Sequence, residues 1–149
     1  MRFLAYFLAV AASLINLSLA IITGISVPAT IKPGDGFNLY INTDDSTFSA
    51  YNVALAVGIG PGSGLPGALI QVTDSFYLGP GQYYTTPRIS RWTSIPTTTP
   101  KGKATYTATL FALYGSVYYP QLRTWNATIT VGDSTSATYV TVTKYVASP

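Results

Sequence analysis

The stretch Lys103–Tyr114, "KATYTATLFALY", constrains the fold of this chain more than any other. Thr105, Thr107 and Thr109 fall on one side of a period-two pattern, and Ala104, Tyr106, Ala108 and Leu110 on the other. A segment that alternates in this way is a β-strand with one polar and one buried face. It follows a Pro-Lys-Gly corner, Pro100 to Gly102, and past Leu110 it turns apolar on both sides ("LFALY"). The second feature suggests a strand end covered on both faces.

The same grammar runs through the chain. Runs rich in Val, Ile, Tyr, Thr and Phe sit between Gly, Pro and Thr punctuation, a strand composition. Seven strands are expected, at 21–31, 36–43, 49–59, 68–78, 88–95, 103–114 and 121–131. An eighth is expected in "TYVTVTKYV" (138–146), where Thr138, Val140 and Val142 alternate with Tyr139, Thr141 and Thr143. No stretch after residue 20 carries sustained helical periodicity, and no internal repeat is visible. The expected fold is all-β, an immunoglobulin-like antiparallel β-sandwich of seven to eight strands.

Within that fold, Gly102-x-Ala104-x-Tyr106-x-Ala108 resembles the corner of immunoglobulin-like domains, with Ala108 where a cysteine would stand. Tyr106 is either the corner tyrosine, bonding back to the backbone, or simply a large core residue. In "RISRWTSIP", Trp92 and Ile95 are three apart and cannot share a strand face. Either a bulge separates them or one is exposed.

Residues 1–20 read as a cleaved secretory signal: Arg2, the apolar run "FLAYFLAVAASLI", and the small-x-small site Ser18-Leu19-Ala20. The apolar run is short for a membrane span and no basic stop-transfer cluster follows, so no membrane association is expected after cleavage. A single mature domain is expected at 21–149. It holds seven basic residues against five acidic ones, a net charge of +2 too weak and scattered for a nucleic-acid partner. Secretion permits disulfides, yet the chain has no cysteine. Its apolar core must therefore hold it together, which roughly 130 residues allow. A cysteine-free domain also loses nothing in a reducing compartment, which is compatible with action inside another cell without arguing for it.

The missing residues exclude most chemistry. Without histidine there is no Ser-His-Asp triad, no histidine base and no histidine-held copper or iron. Without cysteine there is no thiol nucleophile, and without either there is no structural zinc site. Every acidic residue is an aspartate: Asp35, Asp44, Asp45, Asp74 and Asp133. A carboxylate pair would need Asp74 brought across a cleft from Asp44 or Asp45. The adjacent Asp44 and Asp45 suit a turn, or a calcium site completed by backbone carbonyls. The glycine-rich "GIGPGSGLPG" (58–67) lacks the Lys-Ser/Thr ending and following helix of a phosphate loop, and reads as a surface loop. No enzyme activity and no cofactor are expected.

Binding residues are easier to find. Tyr83 and Tyr84 in "LGPGQYYTTP", with Arg88, Arg91 and Trp92 close behind, combine aromatics with arginine as interaction hot spots and sugar platforms do. Buried aromatics with solvated arginines explain them equally well. Asn126-Ala127-Thr128 is an N-glycosylation acceptor, facing outward if Trp125 and Ala127 face in.

Taken together, "GISVPATIKPGD", "VGIGPGSGLPGAL", "YLGPGQ", "SIPTTTPKG", "LYG" at 113–115, "WNATITVGDSTS" and a closing "YV" resemble the necrosis-inducing secreted protein family of fungal effectors. The chain departs from that family in Trp125, where a phenylalanine is expected, in an extra residue before Ile95-Pro96, and in a longer tail. The resemblance implies secretion into the apoplast of a host plant. It also implies suppression of immune signalling by binding receptor-like and cytoplasmic immune kinases, together with cell-death induction. The family pattern assigns no interface residue. A cell-wall glycan-binding module of similar fold is the alternative reading.

Overall fold

In a computed structural model, which describes residues 20–45, 49–79 and 87–147, the chain is all-β. Ten strands occur among the described residues. They are β1 (Ala20–Pro28), β2 (Thr30–Ile31), β3 (Gly36–Asp45), β4 (Ala50–Pro61), β5 (Gln71–Tyr77), β6 (Arg88–Ser94), β7 (Gly102–Tyr114), β8 (Tyr119–Val131), β9 (Tyr139–Val142) and β10 (Val146–Ala147). They form a small sheet in the order β6-β3-β1-β9 and a large one in the order β10-β8-β7-β4-β5, with β2 on the free edge of β8. All pairings are antiparallel except β2 with β8. This is the immunoglobulin-like arrangement, including a first strand that crosses from one sheet to the other.

The expected strand at 21–31 is therefore two strands, because Pro28 ends β1 and the chain changes sheets before Thr30. The strand expected from 68 starts only at Gln71, after Ile70 adopts a positive φ of 61° that breaks the extended run. The strand expected from 121 starts two residues earlier, because the β7–β8 hairpin pairs as far as Tyr114 with Tyr119. The eighth strand exists, but Tyr139–Val142 joins the small sheet and Val146–Ala147 the large one. The segment expected to be a secretory signal, residues 1–20, lies outside the described residues except for Ala20. Ala20 is the first residue of β1 and its carbonyl accepts a hydrogen bond from Asn52 Nδ2.

The core lies between the inner faces. Ile22, Ile25, Leu39 and Ile41 of the small sheet meet Leu55, Val57, Leu110 and Trp125 of the large one. Trp125 is fully buried, and its indole N–H donates to Thr143 O at 3.4 Å, holding the segment between β9 and β10. Gly24 lies so close to Val142 O that any side chain there would collide with it; this lets β9 dock on β1.

Tyr106 is the large core residue, not the corner tyrosine. It is fully buried, its ring meets Phe37 edge-on at 6.0 Å, and its hydroxyl lies beside Thr73 and Thr93 with no well-formed hydrogen bond. Burial pushes its phenol far up. Trp92 and Ile95 resolve by exposure: β6 stops at Ser94, Ile95 is buried beyond its end, and Trp92 is 68% exposed. Two expectations for β7 are corrected. Its threonine face is not uniformly wet, since Thr105 is buried and donates to Gly62 O under the 62–70 loop. Its far end is covered on one side only, leaving Phe111 exposed on the outer face.

Candidate interaction surfaces

Strand alternation separates two of the residues expected to form a binding surface. Arg88 faces outward from the small sheet, its guanidinium 4.0 Å over the Tyr40 ring. Arg91 is three residues on and takes the inward register of Ile89 and Thr93 opposite Leu39; its Nη1 donates to Ser90 O at 3.1 Å. Like Trp92 and Ile95, these arginines stand three apart and so fall on opposite faces of a strand, a separation available in the sequence. Tyr83 and Tyr84 lie outside the described residues.

The outer face of the small sheet sets an exposed indole among polar groups. The Trp92 indole lies against the backbone of Gly36, in the space a side chain would fill. Beside it, Ser90 Oγ donates to Asn38 Oδ1 at 3.0 Å and Tyr139 OH donates to Asn38 O at 3.1 Å. The Tyr139 ring sits 5.1 Å from that of Tyr40. The result is an exposed indole bordered by hydroxyl and amide groups, the chemistry that stacks on and hydrogen-bonds a flat polar ligand.

On the large sheet the outer face changes character along the strands. Its middle is hydroxyl-rich: Thr107 Oγ1 donates to Asn126 Oδ1 at 3.1 Å, and Thr109 and Thr124 share a 2.9 Å bond. Trp125 and Ala127 face in, and Asn126 is half-buried on the outer side. Toward the β7–β8 hairpin the face turns apolar. Tyr77, Ala54, Phe111 and Leu122 form one row across β5, β4, β7 and β8. Tyr51 and Leu113 follow, and the Tyr118 ring meets Tyr51 edge-on at 6.5 Å. Tyr118 is held at φ 54°, a strained conformation for an aromatic residue that costs about 1–3 kcal/mol. This face was not anticipated, although Phe111 and Leu113 visibly continue the Thr105-Thr107-Thr109 series.

Several ionisable groups are engaged separately from one another. Asp74 accepts from Thr93 Oγ1 at 3.0 Å and from the Ser75 N–H at 2.8 Å. Asp44, at the end of β3, accepts from the Asp45 N–H at 2.9 Å. Arg123 is clamped between rings, 4.3 Å over Tyr114 and 4.7 Å over Tyr145. Burial raises the Tyr114 phenol, with Arg123 opposing the shift. Among the described residues, no three metal-ligating side chains converge and no helix is long and apolar enough to cross a membrane.

The fold and these surfaces define a small immunoglobulin-like sandwich whose distinctive outer features are exposed aromatics. Comparison with known proteins places it further. The Nis1 family profile matches residues 18–130, and the chain belongs to that family. It is 40% identical over 140 residues to necrosis-inducing secreted protein 1 of Colletotrichum orbiculare, an alignment that covers 93% of this chain and 86% of that protein. It is 38% identical over 134 residues to the protein of the same name from Colletotrichum higginsianum, covering 89% and 93% respectively. The family is one of secreted, necrosis-inducing fungal effectors, and this chain is a secreted member of it.

Proposed function

We propose that this protein is a cell-death-inducing effector that acts without catalysis, by covering a surface of plant immune receptor-associated kinases and so dampening pattern-triggered immunity. Members named for necrosis induction support the effector part. The observation that carries the mechanism is the contrast between outer aromatics, such as Trp92 and Phe111, and aspartates engaged separately in local hydrogen bonds. Such a molecule works stoichiometrically, by occupying a partner. The test is direct binding of the mature chain to the kinase domain of a plant immune co-receptor, with an unrelated kinase domain as control. Selective binding at micromolar concentration or below supports the reading; no binding by folded protein to active kinase defeats it.

Trp92 favours a second reading, a glycan-binding module of the fungal wall. Its indole is exposed beside Asn38 and Ser90, as a sugar platform requires. Under that reading the protein pellets with chitin or β-glucan and Trp92→Ala abolishes pelleting. Retention in the supernatant excludes it.

A further inference from the structure

The apolar end of the large sheet's outer face is built from two cross-strand rows, with a third, hydroxyl-bearing row at its border. Tyr77, Ala54, Phe111 and Leu122 form the central one; Tyr51, Leu113 and Pro120 form the row toward the hairpin. Ser75, Ala56, Thr109, Thr124 and Val146 form the row behind. No charged residue belongs to any of them, in a chain that is net positive. Tyr77 is 58% exposed, Tyr118 57%, Leu122 46%, Val146 42% and Phe111 38%.

We propose that this face pairs two copies of the chain about a two-fold axis near Phe111 and Leu122. Two observations select a second copy as the occupant. The first is area. With about 200 Å² per large side chain, the exposed aromatic and aliphatic groups present on the order of 500 Å². A standard interface takes about 800 Å² from each partner, and a homodimer interface is about two-thirds apolar, so it asks for that amount. The second is charge. Residues close to a two-fold axis meet their own copies, so a charge beside Phe111 and Leu122 would face its like. A charge-free face on a positively charged chain meets that condition. The strained Tyr118 adds to it, because its backbone holds the ring on Tyr51 at the margin of the face.

Sedimentation velocity of the mature chain from about 1 to 300 µM tests the proposal, since an interface of this modest area associates in the micromolar range or weaker. The expected result is a concentration-dependent rise to the mass of two copies. Phe111→Lys and Leu122→Lys should each weaken association at least about tenfold, as a buried unpaired charge does. Their circular dichroism and melting should stay near wild type, because both side chains are already exposed. Trp92→Ala, on the opposite sheet, should leave association unchanged. Because the chain has no cysteine, a single Leu122→Cys offers an independent readout. It should form an intermolecular disulfide under mild oxidation, whereas Ser90→Cys should not. A wild-type chain that stays monomeric throughout the range overturns the proposal and leaves the face to a different protein. So does undiminished dimerisation of folded Phe111→Lys protein. If that variant fails to fold, Tyr77→Lys on edge strand β5 decides in its place.

Discussion

Thr93 donates a 3.0 Å hydrogen bond to Asp74, and this bond joins the edge strand of one sheet to the edge strand of the other. β6 and β5 share no backbone ladder, so the side-chain bond links the sheets at their open side. A hydrogen bond to a charged acceptor contributes about 1.5–3 kcal/mol. Asp74 is only half-buried, so Asp74→Ala should cost near the low end, seen as a fall of several degrees in the melting temperature. An unchanged melting temperature would show that the link carries no stability.

Tyr106 should behave in the opposite way to a corner tyrosine. Its buried hydroxyl lacks a well-formed bond, so Tyr106→Phe removes an unmet polar group and should be neutral or stabilising by about 1 kcal/mol. Alkali sharpens the test. The folded phenol titrates above the usual value of 10.0, so below pH 10 both states are protonated and stability does not depend on this group. Above pH 10 the unfolded state loses its proton first and stability falls. Denaturant titrations at neutral pH and above pH 10 should show wild type losing more than Tyr106→Phe. Marked destabilisation of the phenylalanine variant at neutral pH would restore the corner assignment.

The two tryptophans should separate cleanly in solution. Trp125 is fully buried and Trp92 largely exposed. Trp92→Phe should therefore leave a blue emission that acrylamide scarcely quenches. Trp125→Ala should cost about 3–5 kcal/mol, as large buried aromatics do, a large part of the total for a domain of this size. Fluorescence quenching and chemical denaturation respectively check these outcomes.

Asp133 bonds Lys101 on the surface, and this lowers its pKa below the ordinary carboxylate value. A depressed carboxylate lends stability above its unfolded pKa and loses it as pH falls through the folded one. Both side chains are exposed, so the effect is small and screened by salt. Asp133→Asn should melt slightly below wild type at pH 7 in low salt and match it at pH 2. A clear gap at pH 2 would assign Asp133 some other role.

Asn126 should carry a glycan in the secreted protein. Thr107 holds its Oδ1 on the outer face. Peptide N-glycosidase should lower the intact mass, and Asn126→Gln should abolish that shift. A wild-type mass equal to the bare polypeptide would show the acceptor unused.

Strand-rich order was legible because it is local. Ala104, Tyr106, Ala108 and Leu110 announce their buried face by period alone. What the sequence concealed depends on which strand lies across the gap. Phe111 looked enclosed because apolar neighbours flank it in the chain, yet no strand among the described residues covers it on the outer face. Thr105 looked wet because it is polar, yet the 62–70 loop folds over it. Arg123 read as one more scattered surface charge until the tail placed Tyr145 against it. The partition of Arg88 and Arg91 was within reach, since three residues along a strand always change faces. Closeness in the sequence obscured it.

The pairing of Ile25 with Val142 has a consequence for how this protein leaves the cell. β1 reaches its last neighbour only after more than a hundred further residues have been made. At ~5–20 residues per second, that wait is roughly 6 to 23 seconds. Through it the first strand keeps a free backbone edge, and the small sheet stays incomplete. A nascent chain in that condition can still be threaded through a translocation channel. The late arrival of β9 would thus keep the protein exportable until synthesis is nearly finished.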